Sequence, residues 1–167
     1  MQSTVLEAEC AVDGTARLMV PLQTTYLIPA AGGDRAYFLS ALFNSLAFRA
    51  LLMSFSPRAS GAFFHYTAWV VGLGVLPATE QQLKTDYRSF AGEPMSPETE
   101  KEMVKLSRAL HANPDGTTAR KLECRVDKMS AKAFGLTGAE FKTLTGYYEF
   151  MRPPEPIGLL DEEDSEE

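Results

Sequence analysis

The sequence predicts an α+β protein in which a small antiparallel β unit packs on one long helix and is followed by a helical hairpin and a closing helix. Two observations lead to this fold class. Residues 4–29 and 62–71 are rich in β-branched and aromatic residues, and Asp13-Gly14 is suited to a hairpin turn. From Thr79 onward, apolar residues recur instead at the spacing of three and four residues that is typical of helices.

The long helix is expected over residues 35–54, with Asp34 as its N-cap. Its only internal charge is Arg49. Asn44, Ser45 and Arg49 lie in the middle of this apolar segment, where exposure to lipid would be costly. A central helix packed on several sides is therefore favoured over a membrane span.

Three further helices are predicted over residues 97–113, 117–134 and 137–150. Ser96-Pro97 is an N-cap followed by a proline in the first helical position, and Gly135 is suited to end a helix. Thr137 and Glu140 have the spacing of a capping box. The first two helices are expected to pack as a hairpin through apolar stripes at Met103, Leu106, Leu110, Leu122, Val126 and Met129.

The composition divides the chain into three parts. Residues 1–90 are expected to form a β-rich module with the long helix, and residues 91–152 a helical unit. Residues 153–167 are expected to be a disordered acidic tail, because Asp161–Glu167 contain six acids and no base. The other 16 acids balance the 16 Lys and Arg residues, so the body is neutral.

Neither the histidines nor the cysteines form a catalytic or metal-binding pattern. His65 and His111 are the only histidines, and neither lies at metal-ligand spacing from another ligating side chain. No nucleotide-binding glycine motif occurs. Cys10 and Cys124 are too few for a disulfide framework and indicate a reducing cytoplasm. We therefore expect a cytoplasmic protein with no cofactor, no metal and no catalytic activity of its own.

Two stretches resemble a known family. The first comprises residues 37–45 (YFLSALFNS), 58–64 (RASGAFF) and 73–77 (LGVLP), and the second comprises residues 126–129 (VDKM) and 133–140 (AFGLTGAE). Together and in this order they are similar to the C-terminal specificity region of adenine-N6 DNA methyltransferases of the Eco57I, TaqI and BREX type. The similarity spans about residues 24–150 and leaves out the catalytic domain of those enzymes.

The resemblance implies a DNA-recognition or assembly subunit of a phage-defence or restriction-modification-like complex. The catalytic step would belong to a separate methyltransferase or helicase chain, with DNA bound within the complex and no membrane involved. On this resemblance, residues 1–90 would recognise the target, and residues 91–152 would dock on or brace the catalytic partner. In the family, the turn after the long helix and the following strand face DNA. The residues expected to contact DNA are therefore Arg58, Ser60, Gly61, His65, Tyr66 and Arg49.

Two alternatives remain open at this point. The chain could be a protein-interaction module that docks a partner through its C-terminal helices without contacting nucleic acid, or a small enzyme of a kind that its motifs do not reveal. The residues expected to bind a partner protein are Phe141, Leu144, Tyr147 and Tyr148. The neutral body argues against strong DNA binding by the isolated chain, because such affinity comes from many Lys and Arg contacts with phosphates.

Overall fold

The structure is a computed structural model that describes residues 4–5, 12, 28–56, 64–65, 95–114 and 116–151. Within these residues the chain forms five helices: α1 (Gly33–Asn44), α2 (Leu46–Phe55), α3 (Pro97–Ala112), α4 (Gly116–Ala133) and α5 (Gly138–Met151). Two short strands, β1 (Thr4–Val5) and β2 (Phe64–His65), pair antiparallel, with Thr4 opposite His65 and Val5 opposite Phe64.

The predicted α+β fold class is wrong for the described part of the chain, which is helical. β1 and β2 do join the two segments expected to pair, but two residues in each strand do not make a β unit on which a helix can pack. β-branched and aromatic composition shows which side chains suit a sheet, and it does not show that a sheet forms. The other predicted strand residues lie outside the described residues, apart from Val12 and Ile28, which belong to no strand.

The predicted long helix is divided at Ser45 into α1 and α2, which are bent by 62° relative to each other. Ser45 has an extended backbone, and its Oγ accepts the Phe48 N–H at 3.4 Å and donates to the Leu42 carbonyl at 2.7 Å. One buried side chain therefore ends α1 and caps α2. No single helix in the described residues is long and apolar enough to cross a membrane; α1 and α2 together meet that test only as a bent pair.

The predicted helix ends are mostly confirmed. The Ser96 side chain accepts the Thr99 N–H at 3.2 Å, and Gly135 has the positive φ of 72° that ends α4. Thr137 and Glu140 form the capping box, and the bonds from the Thr137 N–H and hydroxyl hold the pKa of Glu140 below its usual value. Asp34 is not the N-cap of α1, because Gly32 takes that position.

One core joins all five helices. It includes Phe38 and Leu42 from α1, Phe48 and Leu52 from α2, Met103 and Leu106 from α3, Val126 from α4 and Tyr148 from α5. The most extensive contact between elements is that of α1 with α3. Within the described residues, this core therefore includes side chains from both sides of the boundary predicted near residue 91.

Candidate nucleic-acid interface

Five basic residues of α4 lie on the side of that helix opposite the core. A helix turns by about 100° per residue, which places these five side chains within an arc of about 140°. All are exposed, and the acids of the helix, Glu123 and Asp127, lie outside the arc. We call this surface the basic arc, and its members are Arg120, Lys121, Arg125, Lys128 and Lys132.

Four of the five members of the basic arc line an open depression of about 370 Å³. Its lining residues in the described part of the chain are Thr117, Arg120, Lys121, Cys124, Arg125 and Lys128. Arg125 Nη2 lies 2.7 Å from Glu102 Oε1 of α3. No ion pair or hydrogen bond joins Arg120, Lys121 or Lys128 to any residue within the described ranges, so these cations are available to an anionic ligand. Guanidinium and ammonium groups in this setting suit phosphate oxygens.

Asp127 holds α4 against α2, and this role was not predicted from the sequence. Asp127 Oδ1 accepts the Leu46 N–H at 2.7 Å, and Leu46 is the first residue of α2, where backbone N–H groups have no partner within the helix. Burial raises the pKa of Asp127, while the Leu46 hydrogen bond and the charge of Arg49 counteract the increase. The helical spacing places Asp127 between the basic arc and the buried face of α4, and this position was the signal in the sequence that could have indicated its role.

Arg49 was expected to contact DNA, but it lies within the junction of α2, α4 and α5. Its Nη1 donates to Tyr148 Oη and its Nη2 to Asn44 Oδ1, each at 3.5 Å. Asn44 Nδ2 in turn donates to Ser40 Oγ at 3.3 Å. The half-buried guanidinium of Arg49 is thus separate from the basic arc.

For the other predicted DNA contacts, the structure gives little or no position. Arg58, Ser60, Gly61 and Tyr66 lie outside the described residues, and His65 is described only as a backbone partner in β2.

The predicted partner-binding residues of α5 lie largely on its inner side. Tyr148 belongs to the core, and Leu144 and Tyr147 pack against it; Phe141 is half-buried. The exposed aromatic residue of α5 is Phe150, whose side chain is 81% accessible.

His111 acts as a structural hydrogen-bonding group. Its Nε2 accepts the Val12 N–H at 3.2 Å, and its Nδ1 lies 2.8 Å from the Ser107 carbonyl oxygen. An N–H donor facing Nε2 places the proton on Nδ1, which then donates to Ser107. The imidazole is neutral in this arrangement, and the Tyr37 ring meets it edge-on with centroids 5.2 Å apart.

The described residues include no cluster of three or more side chains that could hold a metal ion. A scan against protein-family models, a search of curated proteins and a search of solved structures find no match.

Proposed function

We propose that this protein is a non-catalytic DNA-binding accessory subunit and that α4 contacts the DNA through the basic arc. The observation that carries the proposal is the contiguous group of exposed cations opposite the core, of which Arg120, Lys121 and Lys128 are bound to no described residue. Such a surface supplies a local positive charge even though residues 1–160 are neutral in total.

The dimensions of the basic arc suit a DNA duplex. From Arg120 to Lys132 the arc extends about 18 Å along the helix axis, and the major groove of B-DNA is wide enough to admit an α-helix. Basic side chains at the edges of the arc would then contact phosphates on either side of the groove. Thr117 and Cys124 lie between them and would face the base edges.

The proposed partner is a separate catalytic methyltransferase or helicase chain in a phage-defence complex. The support is the resemblance described above, whose second stretch covers residues 126–129 and 133–140 and therefore includes Lys128 of the basic arc. Three to five phosphate contacts give only moderate affinity at physiological salt, so such a partner would supply much of the binding energy.

The proposal is tested with two charge-matched triple variants. The arc variant carries Arg120→Gln, Lys121→Gln and Lys128→Gln; the control variant carries Lys101→Gln, Lys105→Gln and Lys142→Gln, which are exposed residues of α3 and α5. Both remove three positive charges. Binding of a fluorescent duplex is measured by anisotropy between 50 and 300 mM salt, and folding by circular dichroism.

We expect the arc variant to bind DNA at least tenfold more weakly at low salt, and its salt slope to fall by about 2–3 units. The control variant should change the affinity by less than about threefold, through the net charge alone. Equal losses in both variants would indicate attraction by net charge rather than a site on α4. Unchanged binding in the arc variant would disprove the proposal.

A second candidate function is a docking module that contacts no nucleic acid. The observation that favours it is Phe150, which leaves most of its ring in water at the end of α5. If Phe150→Ser abolishes assembly with the catalytic chain while the arc variant assembles and supports activity normally, this second function is the correct one.

A further inference from the structure

Two segments of the C-terminal half carry concentrated charge of opposite sign. Asp161–Glu167 hold six acids in seven positions, while the basic arc holds five cations along about 18 Å of α4. No seven-residue stretch of residues 1–160 holds more than three acids, so the tail is the most concentrated negative charge in the sequence.

The tail is long enough to bring its acidic end to the basic arc. Lys128 and Met151 can be at most about 45 Å apart, because α5, the 134–137 turn and the end of α4 connect them. The sixteen residues that follow Met151 span up to about 55 Å when extended. The acidic segment lies at the far end of that length.

We propose that Asp161–Glu167 bind the basic arc of α4 within the same chain and shield it from other polyanions. Each exposed ion pair is weak, so the contact depends on several pairs forming together and on tethering. A short tether raises the effective concentration of the tail to the millimolar range, which favours its own chain over a second copy at micromolar protein concentrations. Salt screening should dissociate it, because the Debye length shrinks from about 10 Å at 0.1 M to about 3 Å at 1 M.

Cys124 lies exposed in the middle of the basic arc and provides a position for a probe. A nitroxide is attached to Cys124 in a Cys10→Ser chain, and the amide signals of residues 161–167 are followed by NMR at 50 mM and 500 mM salt. We expect at least a twofold loss of tail signal intensity at low salt and its recovery at high salt. The control variant described above should retain this loss, and the arc variant should abolish it.

Two outcomes would overturn the proposal. The first is a tail whose signals keep full intensity at low salt, or lose it equally in the arc variant. The second comes from mixing spin-labelled chains that lack ¹⁵N with ¹⁵N-labelled chains that lack the nitroxide. Broadening in that mixture would show that the tail binds a second copy rather than its own chain.

A second measurement avoids the Cys10→Ser substitution. Cys124 in the natural sequence is modified with an anionic thiol reagent, and peptide mass mapping separates its rate from that of Cys10. Removal of residues 161–167 should speed the modification of Cys124 at least threefold at low salt, and this difference should vanish at 500 mM salt. Equal rates with and without the tail at low salt would contradict the proposal.

This inference shares the basic arc with the proposed function but does not depend on DNA binding. If the NMR signals of the tail broaden at low salt and neither the intact nor the truncated chain binds duplex DNA, the DNA proposal fails and the tail contact stands. If both hold, truncation at residue 160 should tighten DNA binding at least threefold at 50 mM salt, because DNA no longer has to displace the tail.

Discussion

Asp127 Oδ1 accepts the backbone N–H of Leu46 at 2.7 Å and thereby ties the middle of α4 to the first turn of α2. The start of α2 thus has two acceptors from different parts of the chain, since Ser45 Oγ accepts the Phe48 N–H. A carboxylate near the positive end of a helix is also favoured electrostatically. This bond adds to the packing of Val126 and Ala133 in the core, which keeps the basic arc on the outward side of α4.

Two substitutions of Asp127 should separate its hydrogen bond from its charge. Asp127→Ala leaves the Leu46 N–H without its acceptor and should lower the free energy of unfolding by about 1–3 kcal/mol. Asp127→Asn keeps an oxygen at the same place and should cost less. Denaturant unfolding of both variants measures the difference; an Asn variant as unstable as the Ala variant would show that the charge matters more than the bond.

Asp127 should also make stability depend on pH, because burial raises its pKa in the folded state. Between its usual pKa and this higher value, the folded chain binds the proton more tightly than the unfolded chain does. The free energy of unfolding contributed by Asp127 should therefore increase as pH falls through this window and decrease as pH rises through it. Comparing the natural chain with Asp127→Asn at each pH isolates this contribution, and a difference of the opposite sign would contradict the assignment.

Ser45 should be more important for stability than another serine with the same local bond. Ser45→Ala removes the cap of α2 and the bond to the Leu42 carbonyl at a fully buried site, and should cost about 1–2 kcal/mol. Ser54 donates to the Leu51 carbonyl at the same 2.7 Å, but it is exposed and caps no helix. Ser54→Ala should therefore change stability by less than about 0.5 kcal/mol. Similar losses in thermal unfolding would disprove the role assigned to the bend.

Local signals explain which parts of the fold were predictable. Ser96, Gly135 and the Thr137–Glu140 pair act on residues within one helical turn, so the sequence alone predicted the ends of α3, α4 and α5 closely. The division at Ser45 was not predictable in this way, because the apolar pattern continues through residue 45. In addition, Asp127, which accepts the Leu46 N–H, lies 81 positions farther along the chain. Contacts between distant segments routinely override such local preferences.

The basic arc was missed for a different reason. The spacing of its residues is visible in the sequence, but the apolar stripe of the same helix is the stronger pattern, and the balanced total charge of residues 1–160 gives no indication of a local cluster. In the fold, the five basic side chains are exposed and face away from the core. Net charge is an average and does not reveal the charge of one surface.

His111 should occur as the neutral tautomer with its proton on Nδ1. The Val12 N–H points at Nε2 and leaves only Nδ1 to donate to the Ser107 carbonyl. Nitrogen chemical shifts of the imidazole at neutral pH distinguish this form from the other tautomer and from the cation. In His111→Ala, the Val12 amide should lose its protection from hydrogen exchange; an amide that stays protected would mean that another acceptor holds it.

Arg49 and Arg58 were both expected to contact DNA, and their variants should now behave differently. Arg49 donates to Tyr148 and Asn44 inside the helix junction, so Arg49→Gln should lower the free energy of unfolding by about 1–3 kcal/mol without changing the salt slope of DNA binding. Arg58 lies outside the described residues and stays a predicted DNA contact of the turn after the long helix.

Arg58→Ala should weaken DNA binding by the assembled complex about tenfold, which corresponds to one contact of roughly 1–3 kcal/mol, without loosening subunit association. If Arg58 contacts a phosphate, the salt slope should fall by about one unit with little change in sequence preference. If it contacts a base edge, preference at one position should relax instead. Unchanged affinity, slope and preference would leave α4 as the proposed DNA contact and remove the turn from the interface.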